Sequence, residues 1–184
     1  PQPCDIRRFL DDQLTGSFSY REVGATNGEL PDGYFINHVR RFLGRGLACF
    51  QAARDSLHRW EQLQLGWVDC WSRETPVMVG EPIAILGRAF GLWSLNACRI
   101  AYVFDEDVAT QRFGYAVGTL AQHLASGEER FLVEMNEQED VWLDILSFSK
   151  PNTVLAQLGA PLMRRCQRRF ARAATLRVAR SVAD

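Results

Sequence analysis

The stretch Gly118–Pro151, GTLAQHLASGEERFLVEMNEQEDVWLDILSFSKP, decides the fold. Glu128–Met135 and Asp140–Phe148 have the period-two pattern and composition of strands, and turn residues at Asn136–Gln138 separate them. Parallel strands need a crossover of a dozen or more residues, so these two strands must be antiparallel. His123 falls in the turn that precedes the first of them.

The same period extends towards the N-terminus, with short turns between the segments. None of these connections is long enough to contain a helix, so the whole run is predicted to be one antiparallel sheet. A further strand, rich in aromatic and β-branched residues, is predicted at Tyr34–Leu43. The six consecutive strands are predicted at Leu65–Trp71, Glu81–Phe90, Ser94–Phe104, Arg112–Leu120, Glu128–Met135 and Asp140–Phe148.

Three segments have the apolar spacing of amphipathic helices: Asp5–Leu14, Leu47–Leu63 and Asn152–Val182. A kink is expected in the last helix near Gly159–Pro161, because proline has no amide hydrogen. Between the first helix and the first strand, the turn-rich segment Thr15–Gly33 contains an aromatic residue and is expected to pack over another part of the molecule. We call this segment the N-terminal loop.

The order of these elements predicts an α+β fold in which helices cover one face of an antiparallel sheet. A curved sheet of about six to seven strands wrapped around the long C-terminal helix would resemble the helix-grip fold of START and Bet v 1-like proteins. That arrangement leaves a cavity between sheet and helix, where ligands commonly bind. The alternative is an open two-layer sandwich with a filled core.

Composition narrows the range of functions. The chain has 184 residues, which predicts a single domain spanning residues 1–184. A formal net charge of −1 makes nucleic acid an unlikely main partner, and no apolar run is long enough to span a membrane. The five cysteines form no CxxC pair, which is typical of reduced thiols and predicts a cytoplasmic protein.

Several sequence blocks resemble a family of bacterial and plant proteins catalogued as domain of unknown function nineteen-ninety. The resemblance covers nearly the whole chain, and Leu143 departs from the family pattern, which favours tyrosine there. It implies one domain and, more loosely, a helix-grip fold, but no reaction. The blocks that carry it are Tyr20–Thr26, Leu30–Tyr34, Leu43–Gly46, Leu65–Trp67, Gly91–Ile100, Gly118–Leu120 with His123, Gly127–Phe131, Val141–Ile145 and Phe148–Pro151.

Two ionisable residues are the candidates for catalysis. Alternation places Glu129 on the apolar, inward face with Phe131, whereas Glu128 and Arg130 point the other way. An inward carboxylate needs a partner or becomes protonated. If His123 and Glu129 meet at the cavity mouth, they would act as acid and base. The alternatives are a histidine in a surface turn and a buried ion pair that fixes the sheet.

The leading hypothesis is a protein that binds a small, largely apolar molecule between the sheet and the last helix. Asn96, with His123 and Glu129, would orient a polar end of that molecule, and Cys98 would be a ligand contact, a thiol nucleophile or a packing residue. Asp144 is interpreted as a structural partner of Arg99 or Arg130. The residues predicted to line the binding site are Trp67, Trp93, Asn96, Cys98, Tyr102, Tyr115, Thr119 and Trp142.

Two rival hypotheses remain at this point. One is an enzyme that uses the same cavity, with His123 and Glu129 acting on a hydrophobic substrate. The other is a module that binds anionic surfaces through the last helix, where Arg164–Arg180 carries seven arginines and no acid. No metal-ligand spacing, P-loop or nucleophile elbow is present, so neither a metal nor a cofactor is predicted. The sequence does not predict an oligomeric state.

Overall fold

The computed structural model describes residues 2–13, 15–89, 91–106, 111–121, 123–152 and 159–183. Three helices and seven strands, with two short 3-10 turns at Ala25–Asn27 and Glu61–Leu63, make up the described chain. The helices are α1 (Pro3–Asp11), α2 (Gly46–His58) and α3 (Ala160–Ala183). The strands are β1 (Phe35–Arg45), β2 (Val68–Trp71), β3 (Pro82–Ala89), β4 (Leu92–Glu106), β5 (Gln111–Thr119), β6 (Ala125–Met135) and β7 (Asp140–Pro151).

The seven strands form one sheet in the order β1-β7-β6-β5-β4-β3-β2. Every neighbouring pair is antiparallel, and β2 to β7 follow one another as a meander. Strand β1 forms one edge of the sheet and pairs with β7, so the first strand in sequence lies beside the last. The predicted α+β class and the antiparallel arrangement are confirmed.

Strand alternation gives the sheet an inner and an outer face. Phe131 of β6 and Ile145 of β7 point inward and are fully buried. They belong to one apolar core with Leu57 of α2 and Ala174 of α3. The two helices therefore cover the inner face. Burial of the large apolar side chains, at about 1.5–3 kcal/mol each, is the main force that holds them there.

The outer face is covered in part by the N-terminal region. Ile6 and Leu10 of α1 form a second apolar cluster with Ala84 of β3. In the N-terminal loop, Phe18 forms a β-bridge with Leu120 at the end of β5. The expectation that this loop packs over another part of the molecule is confirmed.

Two helix predictions differ from the structure. The second helix ends at His58, and the 3-10 turn at Glu61–Leu63 replaces its predicted last turn. In α3, Ala160 and Pro161 are the first two residues, where the missing amide hydrogen of proline costs nothing. Residues 153–158 of the predicted helix, and with them the N-terminal side of the predicted kink, lie outside the described residues.

Candidate ligand-binding cavity

A cavity of about 260 Å³ lies between the inner face of the sheet and the first half of α3. Ile85 of β3 and Val117 of β5 contribute apolar surface from the sheet, and Met163 and Phe170 contribute it from the helix. The mouth includes Leu124, which is exposed in the connection between β5 and β6. Most of the wall is therefore apolar.

Residue size along β6 and β7 explains why the inner face leaves space at this end. The inward positions Gly127 and Ser147 line the cavity and have small side chains. Further along the same strands, the inward positions Phe131 and Leu143 are bulky and fill the core. Small residues at one end and large ones at the other divide the inner face into a cavity and a packed core.

Glu129 lines the cavity from the inner face of β6. Among the described residues, its carboxyl group makes no hydrogen bond and no ion pair. Burial raises its pKa to about 8, because the charged form loses its water. At neutral pH most molecules therefore carry Glu129 as the neutral acid, which is able both to donate and to accept a hydrogen bond.

His123 lines the cavity from the β5–β6 connection. Its Nδ1 atom accepts a hydrogen bond from the backbone N–H of Ala125 at 2.9 Å. Nδ1 is thus unprotonated, and the neutral ring carries its hydrogen on Nε2. Burial lowers the pKa of the ring to about 4, so His123 is uncharged at neutral pH.

The structure places His123 and Glu129 in one cavity but does not pair them. No hydrogen bond among the described residues joins the two side chains, and neither group alters the pKa of the other. Among the described residues, no arginine pairs with Glu129 either. Arg99 lies on the outer face and donates to the carbonyls of Gln13 and Gly16. An acid–base role for His123 and Glu129 stays a prediction.

Three more of the predicted site residues line the cavity. The side-chain amide of Asn96 donates to the carbonyl of Ile85 at 3.3 Å, and its carbonyl oxygen is not used by that bond. Cys98 is buried, and burial, then the nearby Glu129, raises the pKa of its thiol. The hydroxyl of Thr119 accepts the backbone N–H of Gly127 at 2.9 Å, so it helps to fix the two strands.

The five aromatic side chains expected as cavity walls lie elsewhere, which corrects their predicted position. Trp93 is 53% exposed and lies under the guanidinium of Arg88. A bulge between Ile100 and Tyr102 shifts the alternation of β4, so that Tyr102 lies on the outer face. The remaining three are Trp67, which packs at the edge of the core, Tyr115, which is buried in the core beside Trp60, and Trp142, which packs on Phe42.

A polar cluster on the outer face was not predicted. Glu128 is only 2% exposed, because the N-terminal loop covers it. Its carboxylate accepts hydrogen bonds from the hydroxyl of Tyr20 at 2.8 Å and from the backbone N–H groups of Gly24 and Thr26 at 2.7 and 3.1 Å. The hydroxyl of Thr26 is a fourth donor. We call Glu128 and these three loop residues the outer-face cluster.

An ion pair and a histidine hydrogen bond extend this cluster. Arg130 donates to the backbone carbonyl of Thr26 at 2.6 Å and to the carboxylate of Asp144 at 2.8 Å. His38 of β1 lies 2.7 Å from the other oxygen of Asp144. The predicted structural pairing of Asp144 with Arg130 is confirmed. Two of the sequence blocks that carry the family resemblance, Tyr20–Thr26 and Gly127–Phe131, contribute residues to this cluster. These blocks are therefore the sequence feature that could have indicated it.

The arginines of α3 contact aromatic rings as well as solvent. The guanidinium groups of Arg164 and Arg168 both lie 5.3 Å from the ring centroid of Phe35, and that of Arg169 lies 4.4 Å from that of Trp67. Their stems thus cover apolar surface. Binding of an anionic surface by this helix stays a prediction. In the described part of the chain, no helix is long and apolar enough to cross a membrane.

A seven-stranded antiparallel sheet with a long C-terminal helix on its inner face defines the helix-grip fold of Bet v 1-like and START proteins. Human STARD10 is similar with a TM-score of 0.55 and 11% sequence identity, over 100% of this chain and 80% of STARD10. Ara h 8.0201 is similar with a TM-score of 0.50 and 11% identity, over 83% of this chain and 100% of that protein. At these identities the likeness shows the fold alone.

The chain belongs to the family described as domain of unknown function DUF1990, whose profile matches residues 19–177. A UPF0548 protein of Dictyostelium discoideum is 35% identical over 189 residues, covering 92% of this chain and 88% of the relative. A UPF0548 protein of Arabidopsis thaliana is 34% identical over 145 residues, covering 77% of this chain and 70% of the relative. The resemblance inferred from the sequence blocks is confirmed.

Proposed function

We propose that this protein binds a small, largely apolar molecule in the cavity between the sheet and α3. The observation that carries the proposal is the cavity itself, about 260 Å³ in volume and lined mainly by apolar side chains. A volume near the lower end of the range for ligand pockets suits a small molecule. Removal of the apolar part of such a molecule from water would drive binding.

The polar groups of the cavity give the ligand an orientation. Glu129, His123 and Asn96 line the cavity, and each has a polar side chain that is uncharged or mostly uncharged at neutral pH. The bound molecule therefore has an apolar body and one polar end. With five free cysteines, we assign the protein to the reducing environment of the cytoplasm.

Octanol is a suitable probe, since it has an apolar chain and one hydroxyl. Calorimetric titration is expected to give saturable binding to the wild-type protein. Met163→Trp enlarges a side chain that lines the cavity, so we expect it to weaken octanol binding at least tenfold. Leu162→Trp is the matched control, because the neighbouring residue on the same helix is 44% exposed and lies outside the cavity.

Absence of saturable binding to the wild-type protein, for octanol and for octyl compounds with other polar ends, would refute the proposal. Equal loss of binding in both tryptophan variants would also contradict it, since the control does not enter the cavity. Thermal unfolding of each variant shows whether it is folded at the temperature of the titration.

A further inference from the structure

We propose that the ligand is a lipophilic amine, whose ammonium group pairs with the carboxylate of Glu129 while its apolar part fills the cavity. This inference rests on the proposed function and assigns a chemical class to the ligand. Three observations support it: the charge of the lining, the lack of a partner for Glu129, and the state of the neighbouring titratable groups.

The lining contains acidic side chains but, among the described residues, no lysine or arginine. Glu128 and Glu129 are its two acids. The Glu128 carboxylate is held by its four donors in the outer-face cluster and points away from the cavity. Glu129 is therefore the one acid of the described lining that is available to a ligand. A ligand carboxylate or phosphate would bring a negative charge into this apolar site, where no lysine or arginine of the described lining could balance it.

A buried carboxyl group without a partner is costly, and a cationic ligand removes that cost. In a medium of low dielectric constant, an ammonium at contact distance stabilises a carboxylate much more than it does in water. The ammonium also offers up to three N–H donors, and a carboxylate accepts without donating. An alcohol would form a hydrogen bond with the neutral acid but would leave it uncharged. Its interaction with Glu129 is therefore weaker than that of an ammonium group.

The other titratable groups that face Glu129 do not replace such a ligand. Cys98 of β4 has a thiol whose pKa is raised by burial and by Glu129 itself, so it remains neutral. His123 of the β5–β6 connection is also neutral, because burial lowers its pKa. Cys166 of α3 lines the cavity and is a free thiol, which carries no positive charge. No cation from these elements competes for the carboxylate.

Proton balance gives the inference a measurable signature. The free protein holds a proton on Glu129 at neutral pH, since its pKa is raised to about 8. Binding of the ammonium form requires the carboxylate, so each binding event below that pH releases this proton to solvent. The affinity for an amine should therefore increase about tenfold between about pH 7 and about pH 9, where an alkylamine is still protonated.

The test compares octylammonium, octanol and octanoate, which share one chain and differ in the charge of the head group. Calorimetry in two buffers of different ionisation enthalpy measures affinity and proton release together. At about pH 9, where Glu129 is mostly ionised, we expect octylammonium to bind at least tenfold more tightly than octanol. Octanoate should bind most weakly of the three. Glu129→Gln should remove the preference for the amine and its pH dependence while octanol still binds.

Glu134→Gln is the matched control, because Glu134 lies on the outer face of the same strand, in an ion pair with Arg40. This variant should bind the three probes with the same order of affinities as the wild-type protein. If octanol binds the wild-type protein and octylammonium binds no more tightly, the amine inference is overturned and the proposed function stands. If octanoate binds most tightly, the amine inference is also overturned. If none of the three binds, both proposals are overturned.

Discussion

Replacement of Glu128 by glutamine tests whether the outer-face cluster holds the N-terminal loop on the sheet. One Glu128 oxygen accepts from the Tyr20 hydroxyl and the Gly24 N–H, and the other accepts from the N–H and hydroxyl of Thr26. Glutamine replaces one oxygen by an N–H₂ donor. At whichever position the N–H₂ group lies, one backbone N–H loses its acceptor, either the buried one of Thr26 or the partly buried one of Gly24, and the remaining bonds lose the charge.

A buried donor without an acceptor costs about 1–3 kcal/mol, and a hydrogen bond to a charged group is worth about 1.5–3 kcal/mol. We therefore expect the free energy of unfolding to fall by about 3 kcal/mol. For a domain of this size that corresponds to a decrease in Tm of roughly 6–12 °C.

Glu134→Gln is the matched control, since Glu134 has the same strand and face but a partly exposed ion pair with Arg40. Such a pair contributes about 0–1 kcal/mol. Chemical and thermal unfolding followed by circular dichroism measure both variants. If Glu128→Gln unfolds at the same denaturant concentration as the wild type, the cluster does not stabilise the fold and the reasoning is refuted.

Three further predictions concern other parts of the chain. Burial raises the pKa of Glu129 to about 8, so its neutral form stabilises the fold at low pH, and this contribution is lost as the pH rises from about 4.5 to 8. As the pH increases, the free energy of unfolding of Glu129→Gln should therefore rise relative to that of the wild type, by up to a few kcal/mol. If the difference between the two proteins does not change with pH, the raised pKa is contradicted. Gly118→Ala would place a Cβ atom 2.1 Å from a tyrosine hydroxyl of the N-terminal loop, so we expect a loss of about 1–3 kcal/mol and faster proteolysis of that loop. Gly87→Ala, whose Cβ would meet only a serine hydroxyl at 3.1 Å and which lies far from the loop in sequence, should cost less and should leave proteolysis of the loop unchanged. Labelling of the native protein with a thiol reagent should modify the exposed Cys4 and leave the buried Cys98 unmodified, as peptide mass spectrometry would show; rapid labelling of Cys98 would contradict its burial.

The strands and their antiparallel order were predictable because short connections exclude crossovers and alternation marks the two faces. Alternation also predicts Glu129 inward and Glu128 outward, and the structure has both side chains on those faces. The sequence also contains a pattern of residue sizes that indicates where the cavity lies. The inward residues change from small, as at Gly127, to large, as at Phe131, along one strand.

Long-range packing was not predictable from a local pattern. A bulge in β4 reverses the face of Tyr102, and no residue type marks that bulge in the sequence. Tyr115 does point inward, but it lies at the filled end of the sheet, and its hydroxyl donates to the carbonyl of Leu57. The loop residues that hold Glu128 are about a hundred residues distant in sequence. Only the assembled fold shows such pairs.

The central claim is that the cavity holds a small, largely apolar molecule, and native mass spectrometry of gently purified protein tests it most directly. The wild-type protein should carry a bound small molecule, identifiable after release as an apolar compound with one polar end. Met163→Trp should lose most of this adduct, and Leu162→Trp should retain it. A wild-type protein that carries no adduct and binds none of the octyl probes would contradict the claim.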